Sequence, residues 1–111
     1  MESKRQQRIS RLLQKDLGEI FQRETKSLAG GAMITVTKVN VTSDLAITRV
    51  YLSLFGTEDK EALLNKIRDH KNEIKYKLGN RIRNQLRVVP DLEFYEDDSL
   101  DYIENIDRLL K

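Results

Sequence analysis

Between Ile34 and Phe55 the chain carries two β-patterned runs in immediate succession, and this pair limits the possible folds more than any other feature. The first run, Ile34-Thr35-Val36-Thr37-Lys38-Val39-Asn40-Val41, is rich in β-branched residues, whose stiff side chains suit a pleated surface. The second, Ala46 to Phe55, alternates, with Ile47, Arg49, Tyr51 and Ser53 on one side and Thr48, Val50, Leu52 and Leu54 on the other. Ser43-Asp44 lies between them, and both side chains can bond nearby backbone, so the two runs read as an antiparallel hairpin ended by Gly56. A lone hairpin is marginal in water. The rest of the chain must therefore supply a third strand and a layer to cover the apolar face.

The flanking segments have helical periodicity. Ile9, Leu12, Leu13, Leu17, Ile20 and Phe21 make one stripe of an amphipathic helix over residues 4 to 27, with Ser3 and Gln6 placed to form a capping box at its start. Ala29-Gly30-Gly31-Ala32 breaks the period and marks a turn. Thr57-Glu58-Asp59 starts a second helical region with a cap residue and two acids in its first turn. Leu63, Leu64 and Ile67 are followed by Ile74, Leu78, Ile82 and Leu86, and Asp69-His70-Lys71-Asn72 interrupts the stripe. This predicts either two helices meeting at a kink or one long helix with a polar defect. Gly79 costs about 1 kcal/mol in a helix relative to Ala, and would let another element or a sugar–phosphate backbone approach closely. Pro90 ends the helix and admits an extended segment, Asp91 to Glu96, with Leu92 and Phe94 on one face. Asp97-Asp98-Ser99 then caps a last helix with Tyr102 or Ile103, Ile106, Leu109 and Leu110 on its apolar side. The expectation is an α+β fold: a three-stranded sheet with helices packed on one face.

At 111 residues the chain suits one domain, residues 1–111. No apolar run approaches the roughly 18–20 residues of a membrane span, and Met1 to Gln7 lacks the apolar stretch of a secretory signal. With no cysteine there are no disulfides or thiolate metal sites, so the expected setting is the cytoplasm. The net charge of +2 conceals an asymmetry. Lys71, Lys75, Lys77, Arg81, Arg83 and Arg87 share their segment with one acid, Glu73, whereas Asp91 to Lys111 holds eight acids and two bases. Such a chain can face a polyanion on one side.

Catalysis finds no constellation. His70 is the only histidine and has no cysteine beside it, so neither a metal site nor a general base is indicated, and no cofactor is expected. Glu93, Glu96, Asp97 and Asp98 could bind a cation, but turn chemistry and a helix N-terminus explain them. Neither glycine-rich phosphate-loop pattern occurs. The basic helix is the better candidate. Lys71 with Lys75, Lys77 with Arg81, and Arg83 with Arg87 are pairs four apart, and with Ile74, Leu78, Ile82 and Leu86 on the buried face these six should form a solvent-facing strip for phosphate. Lys4, Arg5, Arg8 and Arg11 would widen it into a patch. The plainer alternative is a helix that is merely well solvated. Only Tyr76 is aromatic there, so recognition should rest on shape and backbone rather than base stacking.

Val39, Thr42-Ser43-Asp44-Leu45, Arg49-Val50-Tyr51-Leu52-Ser53, Leu78-Gly79-Asn80-Arg81-Ile82-Arg83, Pro90, Leu92, Phe94 and Asp98-Ser99-Leu100 together resemble the ribosome-binding factor A family over about residues 5 to 110. The resemblance implies a type-II KH-like fold of order α-β-β-α-(kink)-α-β-α. It also implies a non-catalytic assembly factor that binds the free small (30S) ribosomal subunit and its 16S rRNA during late maturation and cold adaptation. The protein would act as a monomer, with no membrane and no small-molecule substrate. KH domains clamp RNA with a GXXG loop, which this family replaces with a kink of the form Ala-x-Gly. Here the kink would fall at His70-Lys71-Asn72, where Asn stands for the glycine and tolerates left-handed backbone. A rival from another class is a protein–protein module, dimeric through the acidic last helix, whose binding would respond far less to salt.

Overall fold

The computed structural model describes residues 3–23, 30–86 and 88–97. The first helix, α1 (Lys4–Arg23), buries Ile9, Leu13, Leu17, Ile20 and Phe21 along one face. Its start is the expected capping box: Ser3 N–H donates to Gln6 Oε1 at 2.9 Å and Gln6 N–H to Ser3 Oγ at 3.1 Å. Gln6 Nε2 also donates to Val41 O at 3.1 Å, which ties this end of the helix to the sheet. The anticipated residues 24–27 of the helix and the last helix from Asp98 onward lie outside the described residues, as does Arg87.

Strands β1 (Met33–Val41) and β2 (Ile47–Phe55) form the antiparallel hairpin, from Met33 opposite Phe55 to Val41 opposite Thr48. The register slips at Thr37, between Val36–Leu52 and Lys38–Tyr51, so Val36 and Val39 both face inward across a bulge. In the turn, the Asp44 carboxylate accepts from Thr42 Oγ1 at 2.7 Å and from Ala46 N–H at 3.1 Å. These two bonds, the hydroxyl first, hold the Asp44 carboxyl below its ordinary value. Leu45 closes the turn with a left-handed φ of 59°, a conformation that L side chains adopt at some cost, and its side chain packs against the core.

Asp59 rather than Thr57 caps the next helix, α2 (Lys60–Asp69), accepting from Ala62 N–H at 2.9 Å, and Glu61 is the acid of the first turn. Helix α3 (Lys71–Ile82) follows after the single residue His70, so two helices meet here rather than one long helix carrying a defect. His70 sits at φ −97°, ψ 15°, a right-handed bridge conformation. Lys71 and Asn72 are already helical, and the kink needs no left-handed backbone. Helix α3 stops at Ile82, eight residues before Pro90. Gln85 and Leu86 N–H both return to Ile82 O, and the proline merely leads into β3 (Asp91–Glu96).

Strand β3 pairs with β2 in parallel, Ile47 opposite Asp91 to Leu52 opposite Glu96, giving a mixed sheet of order β1-β2-β3. The α2–α3 crossover makes the parallel pairing possible. Thr48, Val50, Leu52 and Leu54 of the central strand are buried under the helices together with Leu92 and Phe94, and Phe21 meets Phe94 edge to face at 6.0 Å. This is the expected α+β sandwich, helices on one face of three strands.

Two positions test this packing. A Cβ added at Gly79 would lie 3.0 Å from Val89 Cγ2, so another element does approach the glycine. Gly79→Ala should therefore show the helix-propensity gain of about 1 kcal/mol only in a Val89→Ala background, a comparison made by denaturant unfolding. Thr48 is fully buried and its Oγ1 makes no hydrogen bond among the described residues. Thr48→Val, close in shape, should raise the unfolding free energy by roughly 1–2 kcal/mol in the same assay.

Candidate nucleic-acid interface

The basic residues of α3 do not form one strip. Lys71 and Lys75 both turn to Asp91 at the start of β3, with Nζ to Oδ1 distances of 3.7 and 3.8 Å. Lys77 pairs with Glu73 one turn back at 3.4 Å. Arg81 reaches α1, where its Nη1 lies 2.5 Å from Glu19 Oε2 and 3.4 Å from Asp16 Oδ1. The most exposed positions of α3 are Asn72, Glu73, Tyr76 and Asn80, and Tyr76 is 70% exposed. Arg83, just past the helix end, is exposed and has no ion pair among the described residues. Four of the sequence-predicted phosphate residues are thus engaged by protein carboxylates, three of them because α3 lies between α1 and β3 and Lys77 by an acid of its own helix.

The kink adds a feature that the charge pattern of α3 does not carry. Arg68 Nε and Nη2 donate to Phe94 O at 3.2 and 2.8 Å, clamping the outer edge of β3 to the end of α2. His70 Nδ1 donates to Lys66 O at 2.8 Å. A cleft of about 290 Å³ beside the kink, lined by Arg68, Lys71, Leu92, Glu93, Phe94 and Tyr95, consequently has both its cations occupied.

The N-terminal end of α1 differs. Lys4, Arg5, Arg8 and Arg11 are all exposed and none is in an ion pair among the described residues. Helix α1 runs antiparallel to the C-terminal half of α3: Asp16 and Glu19 meet Arg81, while Arg5, Arg8 and Leu12 meet Gln85 and Leu86. The arginines thus border a groove of about 390 Å³ whose other walls are Ile9, Leu12, Gln85 and Leu86. One pole of the molecule gathers this helix end, the β1–β2 turn and the residues leading into β3. It carries a cluster of unpaired guanidinium groups able to take phosphate bidentately.

Among the described residues no group of three or more His, Asp or Glu could hold a metal ion, and no helix is long and apolar enough to cross a membrane. The kinked-helix crossover, the mixed sheet and the cationic pole define an α+β fold with one basic end. The profile of one family, Ribosome-binding factor A, matches residues 5–110, and the chain belongs to that family. Ribosome-binding factor A of Flavobacterium psychrophilum is 49% identical over 111 residues, covering 99% of this chain and 85% of the relative. That of Cytophaga hutchinsonii is 42% identical over 110 residues, covering 99% and 83%. One crystal structure and one map-fitted homology model share the fold. The crystal structure of ribosome-binding factor A from Thermus thermophilus has a TM-score of 0.69 at 23% identity, covering 82% of this chain and 94% of that one. The homology model of Thermus thermophilus ribosome binding factor A fitted into the cryo-EM map of a 30S–RbfA complex has a TM-score of 0.65 at 24% identity, covering 80% and 91%.

The Arg81 bridge between α1 and α3 has a pH signature. Its hydrogen bond to Glu19, reinforced by its charge and opposed by partial burial, holds the Glu19 carboxyl below the ordinary value of 4.5. A carboxyl depressed in the folded state stabilises fully above its unfolded pKa, and the contribution is lost as pH falls through the folded value. The melting-temperature difference between the wild type and Glu19→Gln should be constant through neutral pH and shrink once pH drops below about 4.5.

Proposed function

We propose that this protein is a non-catalytic ribosome assembly factor that binds the free small ribosomal subunit in the cytoplasm, contacting 16S rRNA during late maturation with a role in cold adaptation. Residues 1–111 would act as one RNA-binding domain and as a monomer. Family membership supports the ribosomal partner, and one observation of the structure carries the mode of binding: Lys4, Arg5, Arg8 and Arg11 cluster without ion pairs among the described residues at the start of α1, while the cations of α3 are held by carboxylates. Lys4, Arg5, Arg8, Arg11 and Arg83 are then the primary phosphate contacts. Lys71, Lys75, Lys77 and Arg81 take part only by exchanging a protein carboxylate for phosphate. For the two lysines on Asp91 that exchange is easy, since solvent-exposed pairs at such separations contribute roughly 0–1 kcal/mol. For Arg81 it would break the tie between α1 and α3.

Co-sedimentation with free small subunits across a salt series tests this. Wild-type binding should weaken steeply with salt, and Arg5→Gln with Arg8→Gln should lower the log–log slope by roughly 0.7–0.9 for each phosphate contact removed. Lys71→Gln with Lys75→Gln should change it less. Equal slopes for the two double variants would remove the distinction between the faces. Binding indifferent to salt would favour a protein interface.

A further inference from the structure

We propose that the groove between the first half of α1 and the turn after α3 seats one unstacked nucleobase of single-stranded RNA, with the flanking phosphates on Arg5 and Arg8. This inference rests on the RNA-binding reading above and assigns that surface a base-binding role beyond phosphate contact.

The chemistry of the walls is mixed in the way a nucleotide requires. Ile9, Leu12 and Leu86 supply an aliphatic surface, and Arg5 and Arg8, three residues apart on one helix face, stand at its border. Their separation along the axis is about 4.5 Å, so both guanidiniums can reach one phosphate or two consecutive ones. A guanidinium plane also stacks on a base, which a lysine cannot do. The Gln85 side chain is exposed and makes no hydrogen bond among the described residues, leaving a donor and an acceptor able to meet a base edge. A volume of about 390 Å³ lies within the range of small-molecule sites, roughly 300–1,000 Å³.

The groove does not end abruptly. A second hollow of about 550 Å³ shares Arg5, Gln85 and Leu86 and continues past Leu45 and Val88 to Pro90. Val88 is 79% exposed there, an apolar side chain left in water beside the arginines. Asp44, the one acid among the described residues of this second hollow, is turned into its own loop by Thr42 and Ala46, so it meets an incoming strand with its carboxylate already hydrogen-bonded. A neighbouring nucleotide has a continuous path along this trough. Double-stranded RNA could bring phosphates to the arginines but no free base to the floor, so the site selects single strands.

The test uses the full chain and two RNA probes of equal length and charge, an intact single-stranded oligonucleotide and its counterpart with stable abasic residues throughout. Affinities are measured at one salt concentration while backbone amide signals are followed by NMR. The intact strand should bind about tenfold more tightly, the effect of one base contact, and should alone shift Leu12, Gln85 and Leu86. Gln85→Ala should reduce the preference and leave affinity for the abasic strand unchanged. Equal affinity for both strands overturns the base site and leaves phosphate binding standing. A preference that survives Gln85→Ala with shifts on the open sheet face, at the stacked pair Tyr51 and Tyr95, overturns the location. Binding of neither strand overturns both this site and the RNA reading beneath it.

Discussion

The parallel pairing of β3 with β2 is the constraint on which the rest of the molecule depends. Two parallel neighbours cannot be joined by a tight turn, so the chain must leave the far end of β2 and return along the sheet before β3 begins. Helices α2 and α3 are that return, and they must lie on the face where Val50, Leu52, Leu92 and Phe94 need cover. They cover the β3 side of the face. The remainder, beside β1, is filled by α1, which packs its Leu13, Leu17 and Ile20 stripe into the gap. Once α1 is there, its first turns lie next to the residues that run from α3 into β3, and the cationic pole follows from the topology.

The same placement decides which charges are available. A basic residue on α3 has α1 on one side and β3 on the other, and both neighbours carry acids at the points of approach: Asp16 and Glu19 on α1, Asp91 at the start of β3. Arg81 is partly covered and held by two carboxylates, so removing either partner leaves a charge in a less polar setting. Among the described residues the first turns of α1 have no such flank. Glu2 lies outside the described residues, and the next acid along the helix is Asp16, so among the described residues Arg5, Arg8 and Arg11 stay exposed and unpaired. Positive charge near a helix N-terminus is unfavourable to the dipole, and the capping box leaves the first-turn amides only partly satisfied. An anion approaching this end would relieve both effects at once.

Much of the scaffold is legible in the sequence because it is set by local periodicity. The α1 stripe, the alternation of β2, Leu92 and Phe94 on one face of β3 and the Ser3–Gln6 box all occupy the positions their spacing predicts. What is not legible depends on tertiary neighbours. The direction of β3 leaves no trace in six residues, since parallel and antiparallel edges both bury Leu92 and Phe94. The end of α3 is hidden because Leu86 continues the four-residue spacing; it packs inward from a turn rather than from helix, so its period is satisfied without its conformation. The bulge at Thr37 has a sign in the three-residue step from Val36 to Val39, which breaks strict alternation. The division of the basic strip cannot be read at all. Arg81 and Glu19 are 62 positions apart, and nothing in either local sequence announces the pairing.

The kink between α2 and α3 forms without the Ala-x-Gly that the family resemblance implies. Glycine is required only where φ is positive, and His70 bends the chain at φ −97°, where any residue is tolerated. What holds the bend is tertiary: Arg68 grips the Phe94 carbonyl from the last turn of α2, and Ile67 and Ile74 are both buried on either side of it. Arg68 also occupies a carbonyl on the exposed edge of β3, a position where an unpaired strand would otherwise offer itself to another chain. A glycine at the kink would add backbone freedom to the unfolded chain and remove no strain from the folded one. Asn at that point of the pattern is therefore no defect. The bend is imposed by the sheet beneath it, and its positively charged residues serve the fold before they serve any ligand.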